Sequence, residues 1–156
     1  MGLRRKSREI AFKVLYSLEY TETNEVLGHL ELLEYYPDKL KELMDDFDRP
    51  PDKRVAEFAE FLIRNTILHE EEIDRLIEQY SKNWSLDRLA VTDKSLLRMG
   101  IFEILFTETP AAIIMDEVIE IAKRFCSESS SKFINGVLNA AANYGDNSKG
   151  EEKEDL

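Results

Sequence analysis

At 156 residues, with 43% apolar and 34% charged side chains, the chain is long enough for one domain around a hydrophobic core and too apolar for a disordered one. No apolar run approaches the about 20 residues that cross a bilayer, and the start lacks the apolar stretch of a secretory signal. Cys126 is the only cysteine, which excludes an intramolecular disulfide and a cysteine-based metal cluster, so a cytoplasmic setting is expected.

The apolar positions Leu3, Ile10, Ala11, Val14 and Leu18 recur at helical intervals and predict a first helix with one buried stripe. Asn24 is read as the cap of a second helix carrying Val26, Leu27, Leu30 and Leu33, ended by Tyr36 and Pro37, with a short segment from Asp38 to Phe47 beyond it. Asp48-Arg49-Pro50-Pro51-Asp52 reads as a loop. Two amphipathic helices follow, one over 53–68 with Val55, Phe58, Ala59, Leu62 and Ile63, the next over 70–80 with Ile73, Leu76, Ile77 and Tyr80. A connector containing Trp84 leads to a short helical turn over 86–89.

Thr92 is expected to cap a helix over 93–106 that turns Leu97, Ile101, Ile104 and Leu105 inward. Pro110 opens the next, whose stripe is Ile114, Val118, Ile121, Ala122 and Phe125. The last helix, 131–144, buries Phe133, Val137, Leu138 and Ala141 and is stopped by Gly145. That leaves 1–145 as a single helical domain and 146–156 as a disordered acidic tail. No strand alternation of useful length occurs, so the fold class is all-α, a compact bundle of about seven helices.

The net charge of −11 is unevenly spread: residues 1–13 hold Arg4, Arg5, Lys6, Arg8 and Lys13 against Glu9 alone, a local +4, and the rest of the chain carries −15. With a screening length of about 8 Å, a concentrated basic end can bind phosphate despite acid further away. At about 100° per residue, Arg5, Arg8, Phe12 and Tyr16 fall on one stripe of the first helix, away from its aliphatic face. Guanidinium groups with aromatic rings suit RNA, in which phosphates pair with Arg and unpaired bases stack on rings. The structural alternative is that the cations solvate the terminus while Phe12 and Tyr16 fill a second packing surface.

Ser127-Glu128-Ser129-Ser130-Ser131-Lys132 precedes and opens the last helix, where unpaired N–H groups favour anions; the plainer reading is a serine cap. Ser129-x-x-Lys132 fits a serine-enzyme pattern only by way of its serine triplet, since no Lys-Thr-Gly element accompanies it. His69-Glu70-Glu71-Glu72 has only His29 as a second histidine and no metal-protease spacing, so no metal and no cofactor are expected. Asp93, Glu103 and Glu108 give one helix an acidic character that a basic protein could meet.

The chain resembles the NusB family. The resemblance rests on Trp84-Ser85-Leu86-Asp87-Arg88-Leu89, Asp93-Lys94-Ser95-Leu96-Leu97-Arg98 with Phe102-Glu103-Ile104-Leu105, Asp116 to Lys123, and Lys132-Phe133-Ile134-Asn135-Gly136-Val137-Leu138. The opening Arg4-Arg5-Lys6-x-Arg8-Glu9 with Leu15-Tyr16-Ser17 is also similar, whereas residues 20–80 agree only in helical character. The resemblance implies an all-α, non-enzymatic transcription antitermination adaptor. Such proteins form a heterodimer with the ribosomal protein NusE, bind single-stranded boxA-type RNA in nascent ribosomal transcripts, and work within the RNA polymerase antitermination complex.

It also implies Arg4, Arg5, Lys6, Arg8, Tyr16, Ser129, Lys132 and Phe133 as RNA-binding residues and Asp93 as a partner-binding one, and it allows a homodimer of the free protein. Two departures stand out. Met115-Asp116-Glu117 replaces the family's Ile-Asn-Glu, and Ser129 replaces a residue that is often acidic. The competing readings are a helical protein-interaction module with little RNA affinity and, since such domains also occur fused to RNA methyltransferases, an enzyme; the latter is not expected in a chain without a dinucleotide-type fold.

Overall fold

The structure, a computed structural model, describes residues 2–19, 28–82 and 85–154. Among the described residues there are seven α-helices, one 3-10 turn at Leu86–Arg88 and no strand. The helices are α1 (Leu3–Leu18), α2 (His29–Asp45), α3 (Lys53–Leu68), α4 (Glu70–Tyr80), α5 (Val91–Phe106), α6 (Ala111–Phe125) and α7 (Glu128–Glu154). Asn24, Val26, Leu27 and Trp84 lie outside the described residues. The chain divides into two compact units, Met1–Glu70 and Glu71–Leu156.

In the first unit α1 packs against both α2 and α3, which also pack on each other. Ile10, Ala11, Val14 and Leu18 are buried as their spacing predicts, while Leu3 stays 43% exposed. Ser7 ties the start of α1 to α3, its hydroxyl lying 3.0 Å from the Val55 carbonyl oxygen.

The expected break at Tyr36-Pro37 does not occur: Pro37 lies inside α2, and the segment from Asp38 onward continues the same helix to Asp45. An interior proline costs about 3 kcal/mol through its missing N–H and its ring. The apolar spacing runs through it in register, and Leu40, Leu43, Met44 and Phe47 pack on Ile10, Val55 and Ala59. At about 1 kcal/mol for each half-buried side chain, that contact outweighs the proline. The loop then ends where Asp52 caps α3, accepting from the Arg54 N–H at 2.8 Å and from the Arg54 guanidinium at 3.1 and 3.0 Å.

In the second unit α5 is the central helix, buried on nearly every side from Asp93 to Ile104 and packed against α6 and α7. Gly100 permits this, because a Cβ there would lie 3.0 Å from Leu138 Cδ2 and 3.3 Å from Val118 Cγ2. α5 begins at Val91 after Ala90, so Thr92 sits within the first turn and is not its cap. Arg98 joins α5 to α4 through a two-pronged pair with Asp74, at 2.8 and 2.9 Å.

α7 starts three residues before the expected Ser131, at Glu128, and runs through Gly145 to Glu154. Gly145 is buried, and a Cβ there would come within 2.9 Å of Leu105 Cδ2. The glycine therefore serves the close approach of α7 to α5 and does not end the helix. Ile134, absent from the expected stripe, is fully buried, and Phe133 is only half-buried. Among the described residues no helix is long and apolar enough to cross a membrane.

Candidate nucleic-acid interface

The sequence-predicted residues fall into two groups, one in each unit. In the first unit, Arg4, Arg5 and Lys6 occupy the opening turn of α1, which contains no acidic residue and whose N-cap, Gly2, contributes no side-chain cap. The amino-terminal end of a helix carries partial positive charge, so each cation there costs about 0.3–1 kcal/mol. Helix stability alone does not account for three of them. Together with the dipole they make this end of α1 positive.

Aromatic rings stand against two of these cations. The Arg4 guanidinium stands 4.0 Å from the centre of the Phe58 ring, and the Lys6 ammonium 5.0 Å from that of Phe47. Phe58 in turn stacks on Phe61, with centroids 6.1 Å apart and planes at 19°. Arg4 is exposed, and Arg5 and Lys6 are half-buried.

The expected stripe of Arg5, Arg8, Phe12 and Tyr16 is divided by the packing. Arg8 and Phe12 are each only 3% exposed, and Tyr16 is half-buried with its ring 6.2 Å from Phe12. The reason is that α1 is flanked by two helices and buries two faces, whereas the aliphatic period marks one. Arg8 lies 5.5 Å from the Phe58 ring centre, on the inner side of the same cluster.

In the second unit the Ser127–Lys132 turn opens α7. Ser127 Oγ accepts from the Ser130 N–H at 3.2 Å and lies 3.1 Å from Ser129 Oγ. Ser129 and Lys132 are exposed, and Phe133 is half-buried. Asp93, expected at a partner surface, is 7% exposed and turned inward. Its Oδ2 accepts from the Ser130 hydroxyl at 2.9 Å, tying the first turn of α5 to the first turn of α7. The Cys126 thiol, beside Thr92 and Asp93, is pushed up to about 11, chiefly by burial and further by the Asp93 carboxylate, with the Thr92 hydrogen bond partly offsetting this.

The apolar spacing places Phe58 in the core stripe and marks no role for Phe47, Phe61 or Arg54. The spacing Phe58-x-x-Phe61 on α3 was the available signal, because residues three apart share a helix face.

These features define a class: an all-helical protein that presents a basic, aromatic-backed helix end in one unit and a serine-lined helix start in the other, both suited to anionic groups. The model of the NusB family matches residues 5–143, and the chain belongs to that family. It is 41% identical over 140 residues to the transcription antitermination protein NusB of Elusimicrobium minutum, covering 88% of this chain and 91% of that protein. Among solved structures it is similar to T. maritima NusB, with a TM-score of 0.75 at 35% identity over 90% of each chain. It is also similar to a chain in a crystal structure of the antitermination factors NusB and NusE in complex with double-stranded RNA, with a TM-score of 0.76 at 28% identity, covering 92% of this chain and 98% of that one.

Proposed function

We propose that this protein is an RNA-binding transcription antitermination adaptor of the cytoplasm, which pairs with the ribosomal protein NusE, binds boxA-type RNA in nascent ribosomal transcripts and supports processive elongation by RNA polymerase without catalysing a reaction. The observation that carries this reading is the likeness over nearly the whole chain to a protein seen with NusE and RNA. The cations at the start of α1 support it, since they oppose the helix dipole and a bound anion would offset that cost. RNA contact is assigned to Arg4, Arg5, Lys6 and the margin of Tyr16 in the first unit, and to Ser129, Lys132 and Phe133 in the second. Arg8 backs the first group from inside. NusE contact is assigned to the start of α5, where Asp93 shapes the surface from beneath by fixing Ser130.

The second reading, a protein-interaction module with little RNA affinity, draws on the burial of Arg8 and Asp93. Replacing Arg4, Arg5 and Lys6 together by Gln separates the two. Loss of three phosphate contacts to single-stranded RNA flattens the log–log salt dependence of binding by about 2 while NusE binding is kept. Unchanged RNA affinity and slope would sink the adaptor reading.

A further inference from the structure

Beside the basic turn of α1, the first unit contains a groove of about 500 Å³, lined by Leu3, Arg4, Arg54, Glu57, Phe58 and Phe61. Its volume is within the range of small-ligand sites, about 300–1,000 Å³. Leu3 and Phe61 are 43% and 42% exposed, so the groove offers apolar surface to an occupant. Phe61 lies nearly parallel to Phe58, and Arg4 stands over Phe58 at 4.0 Å. The result is a near-parallel aromatic pair beside a guanidinium.

The charges in the groove select among occupants. Arg54 has its fork on the Asp52 carboxylate, which it holds down to about 2, so its charge is largely met within the protein. Glu57, exposed and 3.7 Å from Lys53, also lines the groove and opposes a bare phosphate there. A nucleotide resolves this, with its uncharged base within, its exocyclic amine available to Glu57, and its phosphate outside on Arg4. A neighbouring phosphate would then reach Arg5 and Lys6, one and two residues along the same helix. We propose that the groove between the start of α1 and the middle of α3 is a subsite for one unpaired RNA nucleotide, whose base stacks on Phe61 and whose phosphate meets Arg4. This rests on the RNA-binding reading above and adds to it a position at which a single base is unstacked from its neighbours.

The test uses the full chain with NusE and a single-stranded boxA-type RNA carrying 2-aminopurine at one position at a time, since stacking on neighbouring bases quenches that base. One position should brighten on binding as its base leaves its neighbours for the Phe61 ring. Phe61→Leu, which keeps apolar bulk and removes the ring, should abolish that brightening and weaken binding about fivefold or more. Phe61→Tyr should restore both, and Arg4→Gln should flatten the salt dependence by about 0.7, a change absent from Phe61→Leu. Urea midpoints identify any variant that loses stability. If the unaltered protein binds RNA and Phe61→Leu binds with the same affinity and the same brightening, the subsite is overturned while the adaptor reading stands. If Phe61→Leu loses NusE and keeps RNA, the groove is a protein surface and the proposal is likewise overturned. If the unaltered complex binds no RNA at all, the adaptor reading itself fails.

Discussion

The hydrogen bond from Ser130 to Asp93 should couple the starts of α5 and α7 measurably. It spans 2.9 Å, and the accepting residue is 7% exposed. A hydrogen bond to a charged group contributes about 1.5–3 kcal/mol net, and because Ser130 is only half-buried the lower end applies. Ser130→Ala should therefore cost about 1.5 kcal/mol, since it leaves an inward-facing carboxylate oxygen without its donor. Asp93→Ala should cost more, because it also removes packed atoms in the first turn of α5. In the double variant the two losses overlap, giving a coupling of about 1 kcal/mol. Urea unfolding of the four proteins, followed by circular dichroism with the slopes checked for constancy, measures it. A coupling below about 0.5 kcal/mol, the ordinary limit of additivity, would refute the link. The Ser130 hydroxyl also lies 2.9 Å from Ser127 Oγ, so Ser130→Ala should lower RNA affinity through the shape of the turn while leaving the salt slope unchanged.

Two glycines should respond oppositely to alanine. Gly136 has nothing within 4 Å of an added Cβ and lies in α7, so Gly136→Ala should stabilise by about 1 kcal/mol through helix propensity. Gly100→Ala meets Leu138 and Val118 and should destabilise by about 1–2 kcal/mol after the same gain; equal urea midpoints for the two would contradict the packing described. Cys126, raised from the ordinary thiol value of 9.0 to about 11, should react with iodoacetamide far more slowly at pH 8 than the unfolded chain does. The folded state holds that proton where the unfolded one releases it, so this contribution to stability is present below pH about 9 and is lost as pH rises towards about 11. Alkylation at equal rates in folded and unfolded protein would count against it. Ser129→Asp should weaken RNA binding at low salt by placing a carboxylate on the exposed first turn of α7, and unchanged affinity and slope would remove Ser129 from the interface.

Helix positions were readable because the apolar residues of α1, α3, α4 and α6 keep a single period, and α1 and α3 begin and end as that period predicts. Local punctuation was the weaker guide. Pro37 and Gly145 both read as stops, yet each lies inside a helix: continuous packing of Leu40, Leu43 and Met44 carries α2 past one, and contact with Leu105 explains the other. The site was legible in charge and not in depth. The basic cluster at residues 4–6 stands out in an acidic chain, but nothing in the spacing of Arg8 or Asp93 tells that each is buried, because burial there depends on helices distant in sequence or on a long-range bond such as that to Ser130. Phe61 was missed for the converse reason, an aromatic at core-like spacing that the fold leaves 42% exposed.

The most direct measurement is a titration of single-stranded boxA-type RNA, with a duplex of the same sequence as competitor, against this protein, NusE and their mixture at several salt concentrations. The account predicts weak binding by each protein alone and cooperative, salt-sensitive binding of the single strand by the mixture, with the duplex competitor reporting how far unstacked bases add to the phosphate contacts. Binding by the mixture no tighter than by NusE alone would contradict it.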